Sequence, residues 1–263
     1  SFGAYYRAVV PRIVEQATAV ITDSENSKTD LVERLGLAPE KVTAIHLGVS
    51  PEFRKRIKKA DLEATRLRLG LPPKFFLSVS SLDPRKNLGR LIRAYELLPA
   101  ETRDEHHLVL VGAGNRIFSD PAISAELSRL PAGAVVTPGY IPEQDLPAVY
   151  RLSSALVFPS LYEGFGLPVL EAMAASTPVI SSNRSSLPEV AGSAAAMIDP
   201  ESTEEIAAAM ELVAQDSGTR NLLIERGTKR ASQFTWAKTA KQTPQVTRAA
   251  PTGPDKELPR PRQ

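Results

Sequence analysis

From residue 75 onward the chain alternates short, β-rich apolar runs with amphipathic helical patterns, and this alternation restricts the fold more than any other feature. The runs occupy 75–80, 107–111, 134–137, 155–158, 178–181 and 195–198. Helical patterns lie between them at 88–98, 143–152 and 167–175, and two more follow at 204–215 and 219–234. Short apolar runs suit strands buried on both faces, and strand–helix–strand order suits parallel pairing. The expected fold class is α/β, a Rossmann-like doubly wound parallel sheet. Ligands of such sheets bind beyond the carboxyl ends of the strands, so chemistry is expected in the loops that follow the runs.

The first 74 residues follow another plan. A helix is expected over 5–16, a strand over 19–22, a helix starting at Ser24, a strand over 41–47 and a polar, helix-prone connector over 51–70. Ser24 has Ser27 three residues on, which makes it an N-cap without a full capping box. Two strands and two helices form a layer too thin for a core of their own. The expected division is therefore 1–50 as the remnant of a preceding domain, 51–74 as a linker and 75–242 as the main domain. Residues 243–263 carry Pro244, Pro251, Pro254, Pro259 and Pro261 with no hydrophobic period, which predicts a disordered tail. No internal repeat is present.

Composition excludes several functions. A formal charge of +2 on 263 residues gives no case for a nucleic-acid partner. Cysteine is absent, so disulfides and thiolate metal sites are excluded. The three histidines, His46, His106 and His107, have no metal-ligand spacing with carboxylates, and His106 and His107 read as residues that open a strand. No apolar stretch approaches the ~20 residues of a membrane span and no signal-peptide pattern opens the chain, which makes the cytoplasm the expected compartment.

The most informative segment is Phe158-Pro-Ser-Leu-Tyr-Glu163-Gly-Phe-Gly-Leu-Pro-Val-Leu-Glu171-Ala-Met-Ala. A buried strand ends at Phe158, a loop with Gly164 and Gly166 follows, and Pro168 suits the first turn of a helix. The amides of Phe165, Gly166 and Leu167 would then be free at a helix N-terminus, where phosphate or sugar oxygens sit well. Glu163 on the loop and Glu171 one turn into the helix can face one cleft. Taken singly, each glutamate is equally well explained as a loop cap or as a complement to the helix dipole. A second constellation, Ser80-Ser81-Leu-Asp-Pro-Arg85-Lys86-Asn87, closes the first run. Two fixed cations there could stabilise a departing diphosphate, and a solvated basic turn is the alternative.

Together these motifs resemble glycosyltransferase family 4, whose Glu-x7-Glu signature takes the form Glu-Gly-Phe-Gly-Leu-Pro-x-Leu-Glu-Ala-Met-Ala. The resemblance spans residues 2–243 and implies the nucleotide-sugar-binding half of a retaining, GT-B type enzyme. By position it implies that Glu163 contacts the donor sugar and faces the reacting carbon, and that Glu171 accepts from the ribose hydroxyls. Amides of Phe165, Gly166 and Leu167 would hold sugar and phosphate oxygens, and Arg85 and Lys86 the leaving diphosphate. The stretch after the third run resembles the nucleobase pocket around Tyr140 and Ile141; Ile141 and Leu146 can equally be core. Gly112 and Gly114 resemble a turn below the donor. Residues 183–192 also follow the family pattern, with Glu189 as a cap of its own short helix, and Phe234-Thr-Trp236 resembles the segment before the last helix, with Trp236 as an anchoring aromatic.

The pattern breaks in places. Ser80-Ser81 stands where many members carry a glycine and an arginine. His46 is out of place for the family's catalytic-region histidine, and the acceptor-binding domain is represented only by its end. Pro244 falls where the final crossover helix should continue. The expected function is transfer of a hexosyl group, mannosyl by its likeness to relatives with a Leu-Asp-Pro-Arg-Lys-Asn loop, from a nucleotide sugar to a glycan or lipid-linked acceptor. GDP-mannose is the favoured donor, with no metal cofactor, and a lipid-linked acceptor would place the work at the inner membrane face. The alternative is a non-catalytic nucleotide-sugar-binding fragment that needs a partner chain; a sugar-nucleotide epimerase fits less well with this form of the motif. A missing N-terminal domain chain or self-association is the partner expected at the exposed cleft face.

Overall fold

The computed structural model describes residues 2–112 and 121–249. In chain order its elements begin with α1 (Phe2–Gln16), β1 (Val20–Thr22), α2 (Glu25–Leu35) and β2 (Val42–Ala44), then α3 (Lys59–Arg68) in the connector. The main domain follows with β3 (Phe75–Val79), α4 (Leu88–Glu96), α5 (Ala100–Glu105), β4 (His107–Val111), α6 (Pro121–Leu127), β5 (Val135–Gly139), α7 (Leu146–Leu152) and β6 (Ala155–Phe158). It continues with α8 (Leu167–Ala174), β7 (Val179–Ser182), α9 (Leu187–Ala191), β8 (Ala196–Ile198), α10 (Thr203–Gln215), α11 (Ser217–Ala231) and α12 (Trp236–Ala249).

Six strands form one parallel sheet in the order β5-β4-β3-β6-β7-β8. The fold class read from the alternation is the one observed. Strand side chains alternate between two cores. Phe75, Leu77, Val109, Leu156, Phe158 and Val179 face one, under α7, α8 and α11, while Phe76, Leu108, Leu110, Val157 and Ile180 face the other, under α4 and α10. Both faces are dry, which is why the strands read as continuous apolar runs. The chain enters the sheet at β3, builds outward to β5, then returns to β6 beside β3 and builds the other way. The crevice between the carboxyl ends of β3 and β6 is therefore the switch point of the topology.

The first strands pair with each other and not with the large sheet: β1 lies parallel to β2 with Val20 opposite Val42. The strand expected over 41–47 is shorter than read: Ile45 N still donates to Thr22 O of β1 at 2.8 Å, but after it the backbone bonds elsewhere, with Thr239 Oγ1 donating to His46 O at 2.7 Å and Val49 N to Phe234 O at 3.3 Å. Arg54 and Arg151 pin the connector by donating to Ala231 O and to Phe53 O and Lys55 O.

Two expectations for the end of the chain are corrected. The helix starting at Trp236 does not stop at Pro244 but runs to Ala249, so the tail read as disordered from 243 begins as helix; residues 250–263 lie outside the described ones. Pro244 deprives the Ala240 carbonyl of its helical donor, and Ala240 is on the exposed side, where water can replace it. Trp236 is not the buried anchor either: it is 47% exposed, and Phe234 is the aromatic that enters the core at 5%. Where the chain crosses back, an added Cβ at Gly48 would sit 2.1 Å from the Trp236 backbone nitrogen. Gly48→Ala is expected to cost about 1–3 kcal/mol through this clash. Denaturant unfolding should show it, with a changed emission of the chain's single tryptophan; an unaltered midpoint would contradict the close crossing.

Candidate functional site

The turn after β3 is built from side-chain caps. Asp83 accepts from the Arg85 amide at 2.9 Å and opens a short 3-10 turn over Pro84–Lys86. Asn87 ends it in the left-handed region at φ 60 and donates to Pro159 O and Pro200 O at 3.1 and 2.7 Å. Leu161 N donates to Arg85 O at 2.7 Å, so this turn and the loop after β6 are fixed to each other across the switch point.

That arrangement carries Lys86 onto the signature loop. Its Nζ lies 2.5 Å from Glu163 Oε1, with 17% and 12% of the two side chains exposed, and 5.3 Å from the centre of the Phe158 ring. Arg85 goes elsewhere. Its guanidinium takes the Asp83 carboxylate at 2.8–3.2 Å on the exposed side, which holds Asp83 below its ordinary carboxylate range and raises Arg85. The two cations expected to act as a pair are thus separated: Lys86 contacts Glu163, and Arg85 reaches it only through space.

The loop itself is held by hydroxyls. Glu163 N donates to Ser185 Oγ at 2.9 Å, and Ser186 Oγ lies 3.0 and 2.8 Å from the carbonyls of Glu163 and Phe165. From the other side Ser24 Oγ donates to Gly164 O at 2.6 Å, and the Tyr162 hydroxyl bonds Asp30 of α2. Gly166 starts α8 at φ 111, a conformation closed to side chains, and a Cβ there would lie 2.6 Å from Leu187 Cδ2. Among the described residues the amides of Phe165, Gly166 and Leu167 meet no acceptor, as the helix start predicted.

Glu171 sits in the second turn of α8 in a different environment. Its carboxylate accepts from the fully buried Tyr150 hydroxyl at 2.8 Å. Burial raises its pKa above the ordinary 4.5 and the Glu143 charge adds to this, against the Tyr150 hydrogen bond. Burial and the neighbouring Glu171 carboxylate push Tyr150 well up. One signature glutamate is therefore ion-paired and the other is desolvated without a cation.

The remaining expected residues scatter around this centre. Tyr140 is 84% exposed and Ile141 4%, so the neighbours face opposite ways, Ile141 into the core. Ser81 is exposed, Gly112 follows β4 beside Ser80, and Gly114 lies outside the described residues. A cavity of about 790 Å³ lies between the connector and the loop after β5, lined by Phe53, Thr65, Pro142, Glu143 and Asp145, and is not lined by Glu163, Glu171 or Lys86. Among the described residues no cluster of three or more His, Asp or Glu side chains is placed to hold a metal ion. Among them, too, no helix is long and apolar enough to cross a membrane.

Glu189 is corrected. It does not cap its own helix but accepts from the Glu25 and Asn26 amides at the start of α2 at 2.9 and 3.3 Å, and pairs with His46 Nε2 at 2.5 Å. Sequence reasoning missed Tyr150, Ser24, Ser185 and Ser186 as parts of the site. Ser24 was visible only as a helix cap and the serines only as part of a family pattern; Tyr150 carried no signal beyond its place on a helix.

Comparison with known proteins identifies the family and the fold. The family model described as "Glycosyl transferases group 1" matches residues 61–230, well over half of the chain. "O-antigen chain mannosyltransferase B" of Escherichia coli is 33% identical over 231 residues, covering 88% of this chain and 60% of that protein. "Serotype-specific mannosyltransferase WbdA" of the same organism is 34% identical over 228 residues, covering 86% and 28%. The chain thus spans 60% or less of these two relatives' lengths. Among solved structures, Anabaena Alr3699/HepE in complex with UDP and glucose superposes with a TM-score of 0.81 at 22% identity, over 92% of this chain and 66% of the other. WaaG, a glycosyltransferase involved in lipopolysaccharide biosynthesis, gives 0.74 at 20%, over 86% and 62%. At these identities the structures speak for the fold.

Two predictions follow from the unequal environments. Lys86→Met leaves Glu163 buried without a counter-charge and should cost about 3–5 kcal/mol, whereas Arg85→Met breaks an exposed pair worth about 0–1 kcal/mol; urea unfolding of the two variants measures the contrast. Folded Glu171 holds its proton more tightly than the unfolded chain does, so the wild type loses stability as pH rises from below 4.5 through the raised value. Glu171→Gln keeps an acceptor for Tyr150 but cannot ionise. It should gain on the wild type with rising pH across that window, and a difference independent of pH would contradict the raised pKa.

Proposed function

The chain belongs to the group 1 glycosyl transferases, and from that premise we propose that it is the donor-binding part of a retaining hexosyltransferase of family 4. The observation that carries the reading is the Lys86–Glu163 pair across the switch point, beside loop amides that meet no acceptor among the described residues. A nucleotide-sugar diphosphate entering there offers Lys86 a stronger partner than one carboxylate. The exchange frees Glu163 to accept from the sugar hydroxyls and to face the anomeric carbon. Arg85, at the exposed rim, adds a second positive charge near the phosphates. Glu171, a carboxylate with a raised pKa and no cation of its own, suits two vicinal ribose hydroxyls, each donating one hydrogen bond. Tyr140 and the backbone at Ile141 would border the base, and Ser81 the phosphates.

In the reaction proposed, the bond between the anomeric carbon and the diphosphate breaks and its electron pair leaves with the phosphate. The acceptor hydroxyl oxygen bonds to the same face of the carbon and passes its proton to the departing phosphate oxygen. Lys86, Arg85 and the loop amides stabilise the growing charge, so the reading assigns no role to a metal ion. The two relatives named as mannosyltransferases favour a mannosyl donor, and the resemblance of the Leu-Asp-Pro-Arg-Lys-Asn loop favours a guanine nucleotide; the neighbour bound to UDP and glucose makes uracil the competitor to test. The relatives are longer than the part matched. The acceptor, a glycan or lipid-linked saccharide, is proposed to bind a surface equivalent to their unmatched part, within a longer polypeptide or on a partner chain. A non-catalytic donor-binding module that works only with such a partner is the second reading, favoured by that same difference in length.

Calorimetric titration with GDP, GDP-mannose and UDP tests the proposal. GDP and GDP-mannose should bind saturably and more tightly than UDP. Glu171→Ala, which removes charged hydrogen bonds, should weaken both by about tenfold or more, and Arg85→Ala by less. A chain that binds no nucleotide would overturn the reading.

A further inference from the structure

In a trans peptide the carbonyl of one residue and the N–H of the next lie in one plane and point opposite ways, and the described residues contain no cis peptide. Whatever holds a carbonyl therefore aims the following amide. In the signature loop three successive carbonyls face serine hydroxyls: Gly164 O accepts from Ser24 at 2.6 Å, while Glu163 O and Phe165 O, 3.0 and 2.8 Å from Ser186 Oγ, share its single proton. The amides these bonds aim belong to Gly164, Phe165 and Gly166, and none of the three meets an acceptor among the described residues. Because the Glu163 and Phe165 carbonyls converge on one hydroxyl, the Gly164 and Gly166 amides leave on the side away from it.

Both serines are fully buried, and they come from unrelated parts of the chain, Ser24 from the start of α2 and Ser186 from the loop after β7. A hydroxyl has one proton to give. Ser27 Oγ also lies 3.3 Å from Gly164 O, but the Asp23 carboxylate is nearer at 3.0 Å and is the stronger acceptor. Ser24 is left as the donor to Gly164 while its oxygen accepts from the Ser27 amide. Its hydroxyl thus caps α2 and fixes the loop at once.

We propose that Ser24 and Ser186 are positioning residues for the donor, which turn the Gly164, Phe165 and Gly166 amides towards the oxygens of a diphosphate-linked sugar. Ser24 thereby makes the β1–β2 unit a working part of a site built on the large sheet. The inference rests on the donor-site reading above.

The test is binding of GDP-mannose, and of GMP by competition, to the whole chain and to Ser186→Ala, Ser24→Ala and Ser24→Thr. GMP lacks the β-phosphate and sugar that the amides would hold. Each alanine variant should lose about tenfold in affinity for GDP-mannose with GMP changed by no more than about twofold, and Ser24→Thr, which restores cap and hydroxyl, should recover the loss. Ser186 makes no side-chain cap to its helix, so Ser186→Ala decides the matter should Ser24→Ala not fold. Unchanged GDP-mannose binding in the alanine variants, or equal losses for both ligands, would overturn the proposal and leave the donor site standing. A wild-type chain that binds neither ligand would remove the donor site itself, and this proposal with it.

Discussion

A parallel sheet that starts in its middle must reverse its direction of growth once, and here it does so between β3 and β6. Where it reverses, the loops leaving neighbouring strands turn to opposite faces, and nothing from the sheet itself fills the gap between them. The structure closes that gap with polar contacts: Leu161 N on Arg85 O, Asn87 on Pro159 O, and Lys86 on Glu163. The first two join neutral groups. The third joins two charges, both mostly shielded from water, and in the proposed donor site it is the one an incoming diphosphate would exchange.

The two signature glutamates show how little sequence distance decides chemistry. Eight residues apart on one loop and helix, Glu163 has a cation and Glu171 has a phenol. A buried carboxylate without a counter-charge costs stability, and packing around Tyr150, Val169 and Leu170 carries that cost. Sites commonly accept such a burden because the ligand relieves it. Hydroxyl donors from a bound molecule would supply the hydrogen bonds that water supplies elsewhere.

The sheet was legible because its central strands are apolar on both faces; every residue of β6 is buried. Glu163, Glu171 and Lys86 were legible as residue types in a pattern, but the Lys86–Glu163 contact was not. It joins positions 77 apart through the adjacency of β3 and β6, which only the topology supplies. Glu189 looks like a local cap because it opens α9, yet tertiary structure brings the start of α2 to it, and the two amides there that Ser24 does not cap, with His46, outweigh the local option. At Trp236 aromatic size suggested an anchor that Phe234, two residues earlier, provides. At Pro244 local propensity argued for a stop, and an exposed carbonyl made continuation inexpensive.

These tertiary contacts also explain how a thin unit keeps its shape. None of the residues of α2 is buried, so apolar packing holds it weakly. Its position comes from polar bonds at its two approaches. Ser24 on Gly164, Asp30 on Tyr162 and the α2 amides on Glu189 tie it to the signature loop and α9. The segment after β2 is tied to the start of α12 through Thr239 on His46 and Val49 on Phe234. Each bond is modest alone, and together they add to the packing of α2 on β1 and β2. The loop carrying Glu163 uses the same bonds in reverse. The loop is also held from the large sheet by Ser185, Ser186 and the Arg85 carbonyl, so α2 braces one side of a loop whose other side is fixed independently.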